Sequence, residues 1–202
     1  MVNQFRLFSL LILFFTTSSN EVSAQDSTYF KNQIGIGSYP AEFDDNFFEI
    51  HYKRFVLRKW FYGVNVAGYV DRNSTPTGSY TKNIFIPGAE FGASLPFFKI
   101  CRFNVAARTS VYLNRSRAKF KDEAEDNYTK RTGGFIGPSL GLEIIPYRSK
   151  KMMISLYGYL HSGFGAMHNK YHYPTGSFLY PEENTERETV GFIATGIAIR
   201  FK

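Results

Sequence analysis

The chain has 202 residues, a formal net charge of +7, one cysteine, 21 Phe, 14 Tyr and a single Trp. One cysteine excludes an intramolecular disulfide framework, the length suits one domain, and the Phe and Tyr content suits strands and interfacial girdles better than helices. A basic chain ordinarily raises nucleic acid as a partner, but the N-terminus argues for export, where the bases fit an anionic lipid surface better.

In chain order, the first element is a leader. Arg6 follows a short polar start, an apolar run occupies residues 7–15, and a segment rich in small residues ends in Val22-Ser23-Ala24. That order of positive, apolar and small segments predicts a signal peptide over 1–24, cleaved after Ala24. The apolar run is too short to cross a bilayer as a helix, which takes about twenty residues. Removal of 1–24 takes away Arg6 and Glu21, so the mature domain, 25–202, keeps the +7.

Beyond the leader, apolar residues recur with period two rather than at helical spacing, so the chain reads as all-β. The predicted strands are 30–38, 46–56, 60–72, 83–95, 102–115, 133–146, 152–165 and 189–201. In the fifth, Phe103, Val105, Ala107, Thr109, Val111 and Leu113 share one face, against Asn104, Ala106, Arg108, Ser110, Tyr112 and Asn114. The sixth sets Ile136, Pro138, Leu140, Leu142 and Ile144 against Phe135, Gly137, Ser139, Gly141 and Glu143, and the seventh sets Ile154, Leu156 and Leu160 against Ser155, Tyr157, Tyr159 and His161. Each strand thus has an oily face and a wetter one. The links alternate in length: short at 57–59, 96–101 and 147–151, longer and polar at 39–45, 73–82, 116–132 and 166–188. In an up-and-down meander this places short turns at one rim and long loops at the other, the asymmetry of membrane barrels.

These features, with the closing strand Val190-Gly191-Phe192-Ile193-Ala194-Thr195-Gly196-Ile197-Ala198-Ile199-Arg200-Phe201-Lys202, resemble the small eight-stranded outer-membrane barrels of the OmpA and OmpX kind and the outer membrane protein beta-barrel domain group. The resemblance is one of pattern over residues 30–202. Family members usually end on an aromatic residue, whereas here Phe201 is penultimate and Lys202 follows it. The resemblance implies an eight-stranded antiparallel up-and-down transmembrane barrel in the outer membrane of a Gram-negative cell, in contact with lipid and lipopolysaccharide. It also implies insertion by the barrel-assembly machinery, and a monomer is expected.

The wetter faces carry the candidate site residues: Glu49, His51, Lys53, Asn65, Glu90, Arg108, Glu143, His161 and Arg200. An eight-stranded barrel leaves an interior just wide enough for side chains, and buried ions there must pair. Glu90, Arg108, Glu143 and Arg200 are therefore expected to form a polar network that plugs the lumen, rather than a conducting path. His161-Ser162 raises a lipid-modifying enzyme as an alternative, but neighbours in a strand point to opposite faces. His168 and His172 lack a clear third ligand for a metal, and no cofactor is expected. Loops tend to carry binding on rigid scaffolds, so Lys170, Tyr171, His172 and Tyr173 are the expected surface contacts. The leading expectation is a non-enzymatic barrel that presents its loops for envelope integrity or surface interaction. The alternatives are the lipid-modifying enzyme and a lipocalin-like carrier, whose apolar face would point inward.

Overall fold

The computed structural model describes residues 30–40, 46–56, 59–98, 100–121, 127–172 and 183–202. The leader expected at 1–24 and Tyr173 lie outside the described residues. Among the described residues the chain forms eight strands: β1 (Asn32–Pro40), β2 (Asn46–Val56), β3 (Trp60–Thr75), β4 (Gly78–Phe98), β5 (Cys101–Phe120), β6 (Asn127–Arg148), β7 (Met152–His172) and β8 (Glu183–Phe201). Each pairs antiparallel with the next, and β1 pairs with β8, so the sheet closes into an up-and-down barrel. Closure satisfies the edge groups that an open sheet leaves exposed.

Strand lengths correct the sequence reading. β4 to β8 run for 21, 20, 22, 21 and 19 residues, and so absorb most of what was expected to be long polar loops. The link expected at 73–82 is a two-residue turn, Pro76-Thr77, between the paired Thr75 and Gly78. Proline presets the backbone for such a turn, and Thr75 Oγ1 donates to the Gly78 carbonyl at 3.2 Å. The ladders of β5–β6 and β7–β8 run on to Ala118↔Asn127 and Lys170↔Glu183. Polarity misled the reading here, because a strand wet on both faces loses its alternation yet keeps its main-chain ladder and its cross-strand side-chain pairs.

The barrel therefore has two unlike ends. The terminal end carries the described C-terminus and the short β2–β3, β4–β5 and β6–β7 links. Register irregularities between Pro96 and Phe98 and between Ile144 and Tyr147 also lie there. At the hairpin end the β1–β8 ladder stops at Ser38↔Thr195 and the β2–β3 ladder at Phe48↔Gly68. β8 continues past that point through residues 183–194. Six strands, β3 to β8, thus stand above the rim that β1 and β2 reach.

Alternation sorts the side chains as the period-two pattern predicts. Phe61, Ala67, Ile84, Ile86, Ala106, Tyr157 and Ala198 are buried inside, while Ile36, Ile50, Val64, Phe85, Leu140, Leu156 and Ile197 are exposed outside. At Gly141 the Tyr159 ring occupies the space a Cβ would need, and at Gly35 the His51 ring does the same. These glycines let large rings lie against the inner wall.

Candidate functional site

The middle of the lumen is ionic. Glu49, Lys53, Glu90, Arg108, Glu143 and Arg200 are all buried, with Glu143 fully so. Three acids meet three bases, so this set carries no net charge. They pair one to one: Lys53 Nζ lies 3.0 Å from Glu90 Oε1, Arg108 donates to Glu49 Oε2 at 2.7 Å, and Arg200 donates to Glu143. Chain direction orders them along the barrel, with Arg200–Glu143 nearest the terminal end and Arg108–Glu49 nearest the hairpin end.

Neutral partners and rings complete the stack. Ser155 donates to Glu143 at 2.5 Å, Lys53 donates to the Tyr159 hydroxyl at 3.2 Å, and Asn104 donates to the same hydroxyl at 3.3 Å. Each cation also faces an aromatic ring. Arg200 lies 4.1 Å from the Phe55 centroid, Lys53 4.3 Å from Tyr159 and 4.7 Å from Phe61, and Arg108 5.5 Å from Phe192. Desolvated cation–π contacts contribute roughly 2 kcal/mol or more, which offsets part of the cost of removing the cations from water. Apolar clusters close the stack on both sides: Phe30, Ile145 and Met153 with Phe55 and Phe61 toward the terminal end, and Phe47, Ile84 and Ile86 toward the hairpin end.

Every residue expected on the wetter face lies in the interior, but the partners are not all the expected ones. Glu143 and Arg200 meet, whereas Glu90 takes Lys53 and Arg108 takes Glu49. Glu90 and Arg108 are direct ladder neighbours, yet each reaches across the lumen to β2. The acids and bases of β2 were thus visible in sequence but were not assigned to the network. Asn104 and Ser155 stood on the wetter faces in the sequence reading but were not assigned to the network, and Ser94 was missed, since a small polar residue does not reveal which ion it meets.

His161 and Ser162 separate as period two requires. His161 is buried, with Nε2 3.0 Å from Arg108 Nη1, while Ser162 is exposed on the opposite face. A guanidinium only donates, so Nε2 accepts and the imidazole proton sits on Nδ1.

Of the expected surface contacts, Lys170, Tyr171 and His172 lie on strand rather than loop. Lys170 Nζ meets Glu183 Oε1 at 2.5 Å, Tyr171 is paired in register with Thr129, and His172 stacks on Tyr128 with centroids 4.8 Å apart. The hydrogen bond from Lys170 holds the exposed Glu183 carboxyl below the ordinary range. His168 Nδ1 lies 3.1 Å from Thr185 Oγ1. No protein-family model matches the chain, and no curated protein matches it either.

Proposed function

We propose that the protein is a non-enzymatic integral barrel of a Gram-negative outer membrane, exported by a leader at 1–24. In this reading a side-chain-filled interior holds the wall, and the standing hairpins face outward for surface interaction or envelope integrity. The observation that carries the reading is the inverted polarity of the barrel: charges inside, oil outside. A lipocalin-like carrier has the opposite arrangement.

The outward face also changes character at a consistent height. On β5, Phe103 to Leu113 is followed by Arg115, Arg117 and Lys119. On β6, Ile144, Leu142, Leu140 and Ile136 give way to Thr132 and Lys130. On β8, Ile199, Ile197 and Ile193 give way to Thr189 and Arg187. Residues 103–113 match the roughly nine to eleven residues that a tilted strand needs to cross hydrocarbon. Aromatic residues gather near the terminal end, where Trp60, Tyr62, Phe91, Phe97, Phe98 and Tyr147 are exposed and Trp60 stacks on Phe91 at 5.7 Å. Girdles of this kind sit at membrane–water interfaces. Lipid and lipopolysaccharide are then the natural neighbours of the band, and the barrel-assembly machinery its route of insertion.

The test is fractionation of cells expressing the full chain, with gel migration compared before and after boiling. The reading predicts a mature chain lacking 1–24 in the outer-membrane fraction, with a folded band that shifts on boiling. Recovery of the folded chain in the detergent-free soluble fraction would overturn it.

A further inference from the structure

Register aligns the outward side chains of β5 to β8 into rows. Thr109, Ile136, Phe164 and Thr189 form one row, and Val111, Gly134, Ala166 and Arg187 form the next toward the hairpin end. A groove runs along these two rows on the outside of the barrel. Gly134 and Ala166 make its floor, since one has no side chain and the other only a methyl group. A Cβ at Gly134 would meet nothing within 4 Å. The walls are oily, with Val111, Ile136 and Phe164 all exposed.

Two rows higher, Arg115, Lys130 and Lys170 stand directly opposite one another on β5, β6 and β7, with Glu183 next in line on β8. Like charges directly opposite destabilise a sheet, so this row calls for counter-charge. Glu183 supplies part of it, 2.5 Å from Lys170. Arg115, Lys130 and Arg187 are exposed, and among the described residues no carboxylate pairs with them. Lys130 instead lies 5.7 Å from the Tyr128 ring centroid. Four bases against one acid leave three excess positive charges on this part of the face. They spread from β5 to β8 over three strand spacings, about 14 Å.

From this juxtaposition we infer that the outer face of β5 to β8 is a binding site for a bis-phosphorylated, acylated glycolipid of the lipid A type. An acyl chain lies in the groove over Gly134 and Ala166, against Ile136 and Phe164, and the phosphates meet Arg115, Lys130, Lys170 and Arg187. Bonds from ionised donors to phosphate are roughly twice as strong as neutral ones. A polyanion without acyl chains would leave the groove empty, and an uncharged lipid would leave the bases without counter-charge. A phospholipid with a single phosphodiester covers only part of the basic face, whereas two phosphate groups on a sugar pair match both its width and its charge. The inference rests on the reading of the hairpin end as the outward rim of an outer-membrane barrel.

Native mass spectrometry of the folded mature chain, released from a non-ionic detergent, tests it with purified bis-phosphorylated lipid A as probe. The comparison lipids are the same lipid A stripped of both phosphates and phosphatidylglycerol. Expected are one lipid A per chain and at least tenfold weaker binding of either comparison lipid. The double variant Lys130→Gln with Arg187→Gln should bind lipid A at least tenfold more weakly. Gly134→Leu, which fills the groove where a Cβ meets nothing, should weaken it at least fivefold with every base in place. Arg54→Gln, an exposed base near the terminal end, should leave binding unchanged. Migration before and after boiling checks that each variant is folded. Lipid A bound undiminished to either folded site variant, or phosphatidylglycerol bound as tightly as lipid A, would overturn the assignment. Because binding is measured on purified chain in detergent, that failure is separate from recovery of the chain in the soluble fraction, which would overturn the membrane reading itself.

Discussion

Arg108 bonds to Glu49, bonds to His161 and faces the Phe192 ring, so its removal disturbs acid, imidazole and ring together. The simpler pair for measurement is Arg200–Glu143, closest to the terminal end and fully enclosed. Breaking such a pair leaves an uncompensated buried ion, which costs about 3–5 kcal/mol, whereas replacing both partners with well-packed apolar residues is often close to neutral. Arg200→Met should therefore lower the urea midpoint of the folded barrel by that order. The double variant Glu143→Met with Arg200→Met should recover most of the loss. An additive double variant would mean that the two side chains are not coupled. These inward positions were legible from sequence, because Glu49, His51, Lys53 and Arg200 alternate with apolar neighbours. Their partners were not, because contacts across a barrel depend on strand tilt and stagger, which a period-two pattern does not contain. The Glu90 and Arg108 side chains, adjacent in the ladder but paired elsewhere, show how far the choice of partner departs from register.

At the scale of elements, the eight strands and their alternation were visible in the apolar faces of residues 103–113 and 136–144. The true lengths were not. β7 continues from Gly165 to His172 and β8 begins at Glu183, across a stretch whose outward residues His168, Lys170 and Arg187 carry no oily face to betray a strand. The standing part of β5–β6 holds few buried apolar residues, and the closed barrel below it is complete without it. Shortening that hairpin, by replacing residues 117–128 with a two-residue turn, should leave migration before boiling unchanged and move the urea midpoint by less than about 1 kcal/mol equivalent. Loss of the folded band would show that the hairpin supports the barrel. At the neighbouring tip, Glu183 is held below its ordinary range by Lys170. Its contribution is thus present above the unfolded pKa and fades as pH falls through the lower folded one. A carbon-13 titration of the Glu183 carboxyl should show the lowered midpoint, and Lys170→Ala should return it toward the ordinary value near 4.3.

For the whole molecule, the direction of polarity makes a prediction that separates a membrane from water. Leu140 is 42% exposed and sits mid-way along the outward band of β6. In a bilayer Leu140→Arg should destabilise the barrel by about 2–4 kcal/mol, and Thr132→Arg, beyond the band, by about 0–1. Vesicle-based urea unfolding measures both, and equal small effects would argue for an aqueous exterior. The ion pairs have a further consequence for how such a barrel can be built. Glu49 and Lys53 on β2 find their partners on β5 and β4, and Glu143 on β6 finds its partner on β8. None of these three interior pairs joins consecutive strands, so each forms only when strands that are not neighbours in sequence have come together. A partly assembled sheet therefore leaves these ions without the partners they have in the finished interior, and the three pairs favour only the closed ring.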